Sequence, residues 1–426
     1  MKKELLEKVL KSKKNLIVNG DLSSGKTSNV LLPITDELIK LNESLLIIDN
    51  KEEYLDNFYE KLKEKNYNII IVNFKNLEKS EGWNPLDIPY KLYKSGNMDL
   101  SLEYLERIGK IMFYDKMVND PFWSITASDF FTGVTIGLFE DGTENEINFN
   151  SVNMMFNGID KKYGEGNYIT EYFKTKQQND PAYICASTTF LAPKETRGGI
   201  LSIARQKLRT FVSREKLSCM LSKTTFNIAD TFTKPTAIFV IGKEEQSTYD
   251  SLVSIFINQI FHELYLNTKQ NYNFILDNID GIEYIDEFEK MISAGLPKGI
   301  KTFIGTRSIE NLNDKYSTYI NKLCDIINVY ENKIIVDNIA YEKNHFNYIK
   351  SNIEYPKINI NSIKIFDVEK FVKKYNTKPL FKTDNKEKNS NSSKNDPDID
   401  ELLKDIDKKI AELEKEEREK NNKSNN

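Results

Sequence analysis

Residues 15–33, NLIVNGDLSSGKTSNVLLP, restrict the fold more than any other stretch of the sequence. An apolar run, two glycines and a Lys–Thr pair stand there in the spacing Gly20-x-x-x-x-Gly25-Lys26-Thr27. The glycines let the backbone wrap close to phosphate oxygens, and Asp21, Leu22, Ser23 and Ser24 fill the loop between them. The lysine side chain reaches the β and γ phosphates, while the Thr27 hydroxyl is placed to ligate Mg2+ and Ser28 closes the motif. The flanks agree, because NLIV reads as a buried strand and KTSNVLLPI as a helix whose N-terminus faces the anion. Gly20 to Ser28 are therefore expected to bind a nucleoside triphosphate, with ATP and Mg2+ as cofactors.

The surrounding pattern is that of a parallel sheet. Strand-like runs at 15–19, 44–49 and 68–74 alternate with TSNVLLPITDELIKL and EEYLDNFYEKLKEK, both at helical spacing. After WNPLDIPYKLY helical periodicity takes over from about residue 97 to 215. Strands return at 236–242, 273–278, 301–306 and 325–330. The reading is an α/β nucleotide-binding domain, 1–96 and 216–382, interrupted by an all-α insertion, 97–215. Residues 383–397 read as a polar disordered linker, and 398–420 as an amphipathic helix carrying Ile399, Leu402, Leu403, Ile406, Ile410 and Leu413. No internal repeats are found.

Composition excludes several classes. A net charge of −4 rules out a globally basic nucleic-acid binder, though not a local basic patch. Cys185, Cys219 and Cys324 are far apart and odd in number, which predicts free thiols in a reducing compartment. Two isolated histidines and no C-x-x-C pair imply no zinc site. No apolar run approaches the ~18 residues of a membrane span, and the N-terminus lacks a signal-peptide core. A cytosolic protein is expected.

A phosphate loop needs a distant strand-end acid to hold Mg2+ through water. NFILDN supplies Asp277, with Asp49 after LLII as its rival. The next residue, where such ATPases place a glutamate to polarise the attacking water, is Asn278, which can orient a water but cannot take its proton. Asp280 lies two positions on and is the available substitute.

In this order the pieces resemble the type IV secretion coupling proteins, the TraG/TraD-like ATPases of conjugative DNA transfer. The phosphate loop with its helix, LLIIDNKEEY, KNYNIIIVNFKNLEKSEGWNPLDI, NDPFWSITASDFFTGVTIGLF and the stretch from NFILDNIDG to RSIENLNDKY carry the resemblance, over about residues 12–350. It implies a RecA-like P-loop NTPase domain, hexameric when active, with an all-α domain contacting the DNA-processing complex. It also implies relaxase and single-stranded DNA as partners, delivered to a secretion channel at the membrane. Three groups expected to aid hydrolysis differ from the family pattern: Asn278 replaces glutamate, Arg307 replaces glutamine, and only Lys298 stands near the usual arginine segment. The family's transmembrane helices have no counterpart in this sequence. These features predict a cytoplasmic protein recruited peripherally to the inner face of the membrane, with the 398–420 helix as the candidate handle.

The stretch KETRGGILSIARQKLRTFVSREK is the best candidate for phosphate contacts with DNA, through Arg197, Arg205, Arg209 and Arg214. A solvated helix face is the alternative. Phe122 and Trp123 are read as core packing rather than base stacking. Three functions remain open at this point: a DNA-moving coupling ATPase, an ATP-binding adaptor that docks the relaxase–DNA complex with little turnover, and a double-stranded DNA translocase of the FtsK type. The all-α insertion argues against the third.

Overall fold

The computed structural model describes residues 3–113, 120–242, 249–282, 284–344, 346–358 and 362–376. The expected linker at 383–397 and helix at 398–420 lie outside the described residues.

Eleven strands occur in the described chain: β1 Asn15–Asn19, β2 Ser44–Ile48, β3 Asn68–Asn73, β4 Lys162–Tyr163, β5 Gly166–Asn167, β6 Thr236–Ile241, β7 Tyr272–Leu276, β8 Ile300–Thr306, β9 Cys324–Val329, β10 Lys333–Val336 and β11 Ile339–Glu342. Nine of them form one sheet in the order β11-β10-β9-β1-β8-β7-β2-β6-β3. From β9 to β3 every pairing is parallel, and β10 and β11 add an antiparallel edge. The strands β2, β6 and β7 are buried along their whole length, as parallel strands covered on both faces must be. On one face the helices Leu32–Lys40 and Glu53–Glu64 close a core through Ile34, Leu38, Leu55, Phe58 and Leu62. The other face is covered by Asp250–Asn267, whose apolar layer continues into the helical region.

The stretch from 97 to 215 is mostly helical, led by Met98–Phe113, Phe122–Asp141 and Lys194–Val212. The exception to the all-α expectation is the β4–β5 hairpin, which turns at Gly164 with φ +57°. Trp83 and Asn84, at the exit from the sheet domain, tie the two regions together. The Trp83 indole N–H donates to Gln259 Oε1 at 3.3 Å, and Asn84 Nδ2 donates to the Ile147 carbonyl at 2.6 Å.

One boundary differs from the sequence reading, which left everything from 216 to 382 with the nucleotide-binding domain. Residues 362–376 pack on the helical region instead. The Phe366 amide donates to Ser151 Oγ at 2.9 Å, Asn148 Nδ2 donates to the Lys364 carbonyl at 2.9 Å, and Phe371 meets the Tyr172 ring at 5.4 Å. The cause is apolar burial: Phe366, Val368 and Val372 find their core there.

Candidate nucleotide site

The sheet topology decides where chemistry can occur. β1 lies between β8 and β9, and β7 lies beyond β8, so the residues that follow β1, β7 and β8 meet at one edge. A cleft of about 510 Å³ opens there, lined by the loop from Asp21 to Ser28 and by Asp49, Tyr54, Asp277, Asn278 and Arg307.

The loop's geometry follows from its residue types. Gly25 sits at φ +81°, and a Cβ there would come within 2.4 Å of Asn29 Nδ2. That amide donates to the Gly25 carbonyl at 3.0 Å, which locks the turn onto the following helix. The helix opens with a π-type turn over Thr27–Leu31 before Leu32–Lys40 winds as α. Lys26 is buried, and its Nζ donates to the carbonyls of Gly20 and, at 3.0 Å, Asp21. Burial lowers the lysine's pKa, opposed by the carboxylates of Asp277 and Asp280. The buried Ser24 hydroxyl oxygen has no protein partner, so the loop retains hydrogen-bonding capacity of its own.

Thr27 and Asp277 are 250 residues apart in sequence, yet the threonine hydroxyl donates to Asp277 Oδ2 at 2.6 Å. Tyr54 donates its hydroxyl to the same oxygen at 2.9 Å. Gly305 on β8 makes room, since a Cβ there would stand 2.6 Å from Asp277 Oδ1. Burial raises the Asp277 pKa, and the hydrogen bonds from Thr27 and Tyr54 work against that rise. A carboxylate and a hydroxyl in this arrangement, beside a phosphate loop, match the oxygen donor set that Mg2+ takes.

Asp49, the rival acid, has a structural task. Its Oδ2 accepts the Leu55 amide at 2.7 Å, so from three residues upstream of the N-cap Glu52 it serves as a cap acceptor for the first turn of the helix Glu53–Glu64. Burial pushes its carboxyl up to about 7. The unfolded chain releases that proton near pH 4, whereas the folded chain holds it to about pH 7, so folding stability should fall as pH rises between those values. Asp49→Asn keeps a cap acceptor and is expected to remove most of that slope. The urea midpoint measured from pH 4 to 8 checks this, and an unchanged slope would place the titration elsewhere.

Asn278 has left-handed backbone, φ 55° and ψ 49°, a conformation that asparagine adopts far more readily than glutamate. Its side-chain oxygen accepts Arg307 Nε at 3.3 Å. Asp280 is occupied: Oδ1 accepts the Thr306 hydroxyl at 2.9 Å and Oδ2 the Arg307 amide at 2.7 Å. Lys298 precedes β8, at the far edge of the sheet from the cleft, with its Nζ 5.0 Å from the Tyr265 ring centroid.

Sequence reasoning missed two contributors. Tyr54 carries no signal beyond helical spacing. The segment after β11 crosses back over the loop: Lys343 Nζ donates to the Ser24 carbonyl at 2.5 Å, and the Phe346 amide donates to the Ser28 carbonyl at 3.2 Å. It then grips the helix Glu53–Glu64, where Tyr348 donates to Asp56 at 2.6 Å and the Ile349 amide to Asn57 at 2.8 Å.

The four arginines read as DNA contacts have different surroundings. Arg205 is held by Asp160 at 2.7 Å and by the Phe156 carbonyl at 2.8 Å. Arg197 donates to the Phe190 carbonyl at 3.2 Å, and Arg214 lies 5.5 Å from the Tyr249 ring centroid, beyond the end of the helix Lys194–Val212. Arg209 is exposed on that helix. Trp123 packs against Gly199 and edge-on to Phe122, which is itself 47% exposed.

A largely parallel sheet with a phosphate loop after β1, an acid after β7 and a helical insertion defines a RecA-like P-loop NTPase fold. A family model described as Type IV secretory system Conjugative DNA transfer matches residues 10–391, and the chain belongs to that family. No curated protein sequence matches the chain. Among solved structures, the unbound monoclinic form of the bacterial conjugative coupling protein TrwBdeltaN70 is similar at a TM-score of 0.55 and 14% identity, over 74% of this chain and 68% of that one. The plasmid coupling protein TrwB with the ATP analogue ADPNP gives 0.54 and 14%, over 74% and 70%. TrwB with ADP and Mg2+ gives 0.55 and 12%, over 83% and 86%. Among the described residues no helix is long and apolar enough to cross a membrane.

Proposed function

We propose that this chain is a coupling protein of conjugative DNA transfer that binds Mg·ATP in the cleft and brings relaxase-bound single-stranded DNA to a type IV secretion channel. The observation that carries the nucleotide reading is the 2.6 Å bond between Thr27 and Asp277, which joins the two motifs at one point. Thr27 and Asp277 would hold Mg2+, the metal neutralising phosphate charge. Gly20 to Ser28 would wrap the phosphates, with Lys26 turning from its loop carbonyls toward the terminal groups. TrwB, of the same fold, has been seen with an ATP analogue and with ADP and Mg2+.

A second reading, an ATP-gated adaptor with little turnover, is favoured by one further observation. The position where these motors carry a glutamate holds a neutral amide bonded to Arg307, and the nearby Asp280 is already committed to Thr306 and the Arg307 backbone. Neither residue 278 nor Asp280 therefore offers an uncommitted carboxylate to take a proton from water.

The test is metal dependence. Asp277→Asn should weaken Mg·AMP-PNP binding by about 10–100-fold and abolish the gain that Mg2+ gives over metal-free nucleotide. Calorimetry with and without Mg2+ reads this directly. An intact Mg2+ effect in the variant would remove Asp277 from the metal site.

A further inference from the structure

We infer that Arg307 is the group that distinguishes a nucleoside triphosphate from a diphosphate in this cleft, by pairing in cis with the terminal phosphoryl group. The inference rests on the nucleotide-site reading above and adds a specificity-determining residue to it.

Position comes first. Thr306, the last residue of β8, is in register with Asn19, which leads directly into the phosphate loop. Arg307 therefore emerges beside the loop, and it lines the cleft with Lys26, Thr27, Asp277 and Asn278. In a P-loop the backbone cradles the inner phosphates, and the terminal phosphate extends toward the metal acid and the ends of the neighbouring strands. Those ends are Asp277–Asn278 and Arg307. A diphosphate, held by the loop and Lys26, would stop short of the guanidinium.

Charge supports the same placement. Among the described residues Arg307 makes no ion pair, and the one hydrogen bond recorded for its guanidinium is to the neutral Asn278 oxygen. That leaves the terminal N–H groups of a planar fork for phosphate oxygens, the geometry in which arginine binds bidentately. Arg307 and Lys26 line the same cleft, so two cations face one volume, and an anion between them relieves their repulsion.

The posture is fixed from two sides. Asp280 holds the Arg307 amide at 2.7 Å, and Asn278 Oδ1 steers Nε without cancelling the charge. A carboxylate at 278 would do the opposite, since it would pair with the guanidinium and take it from the nucleotide. Asparagine at 278 and arginine at 307 thus make sense as a pair.

The experiment is equilibrium binding of Mg·AMP-PNP and Mg·ADP to the full chain and to Arg307→Gln and Arg307→Lys. Arg307→Gln is expected to weaken AMP-PNP by about tenfold or more and to leave ADP within about twofold, with Arg307→Lys recovering part of the loss. Equal effects on both nucleotides, or none on either, would overturn the inference while leaving the nucleotide site standing. A parent chain that binds neither nucleotide would overturn the site reading and this inference together.

Discussion

Lys26→Ala is expected to lower Mg·ATP affinity by about a hundredfold while leaving the thermal transition nearly in place. Charge-assisted hydrogen bonds to phosphate are worth about 1.5–3 kcal/mol each, and the loop lysine is placed to reach two phosphates. In the protein as described, the same Nζ is satisfied by the Gly20 and Asp21 carbonyls, at the edge of a cleft that solvent can enter. Its removal frees two carbonyls to bind water and leaves no large cavity. Nucleotide titration followed by fluorescence or calorimetry, beside circular-dichroism melts, separates the two effects. Equal affinity in parent and variant would refute the phosphate-loop assignment.

The second large effect concerns turnover and needs two substitutions. Asn278→Glu alone restores a carboxylate at the water-polarising position, but Arg307 Nε already lies 3.3 Å from that side-chain oxygen. The new glutamate would be captured as an ion pair, with its basicity lowered, and would also have to accept φ 55°. The single variant is therefore expected to show little gain. Asn278→Glu with Arg307→Gln removes the competing cation, and turnover at saturating ATP should rise by about tenfold or more. That is modest beside the 10²–10⁴ that a well-placed general base contributes, because the left-handed backbone tilts the new carboxylate away from its best geometry. Saturating nucleotide is required, since losing Arg307 should also raise KM. A single variant that gains as much as the double would mean that Arg307 does not restrain position 278.

The residues that meet in this cleft are partly legible in the sequence. The phosphate loop was readable because its glycines, lysine and threonine are held to one spacing by backbone geometry. Asp277 was readable because a buried strand ending in an acid is a short local pattern, and the ordered motifs led to the family whose model matches the chain. Less visible were the features that depend on distant packing. Arg205 looked like an exposed cation, yet Asp160 and the Phe156 carbonyl hold it. The β10–β11 hairpin turns at Asp337 and Asn338, both at positive φ, and an Asp-Asn pair between two apolar runs is its local turn signal. The crossing segment from Lys343 has no periodicity to announce it, because single hydrogen bonds and aromatic contacts to the loop and to Glu53–Glu64 hold it. Tyr54 was hidden for the same reason: its partner, Asp277, is 223 residues away.

The cleft is expected to bind Mg·ATP but, with an Asn278–Arg307 pair in place of a base, to turn it over slowly. Steady-state ATP turnover by the purified full chain, with and without single-stranded DNA and at nucleotide concentrations shown by titration to saturate the site, tests it most directly. Saturable binding with turnover below about one per second, the low end of ordinary enzyme rates, is the expected result in both conditions. Rapid turnover in either condition, or no saturable nucleotide binding at all, would contradict it.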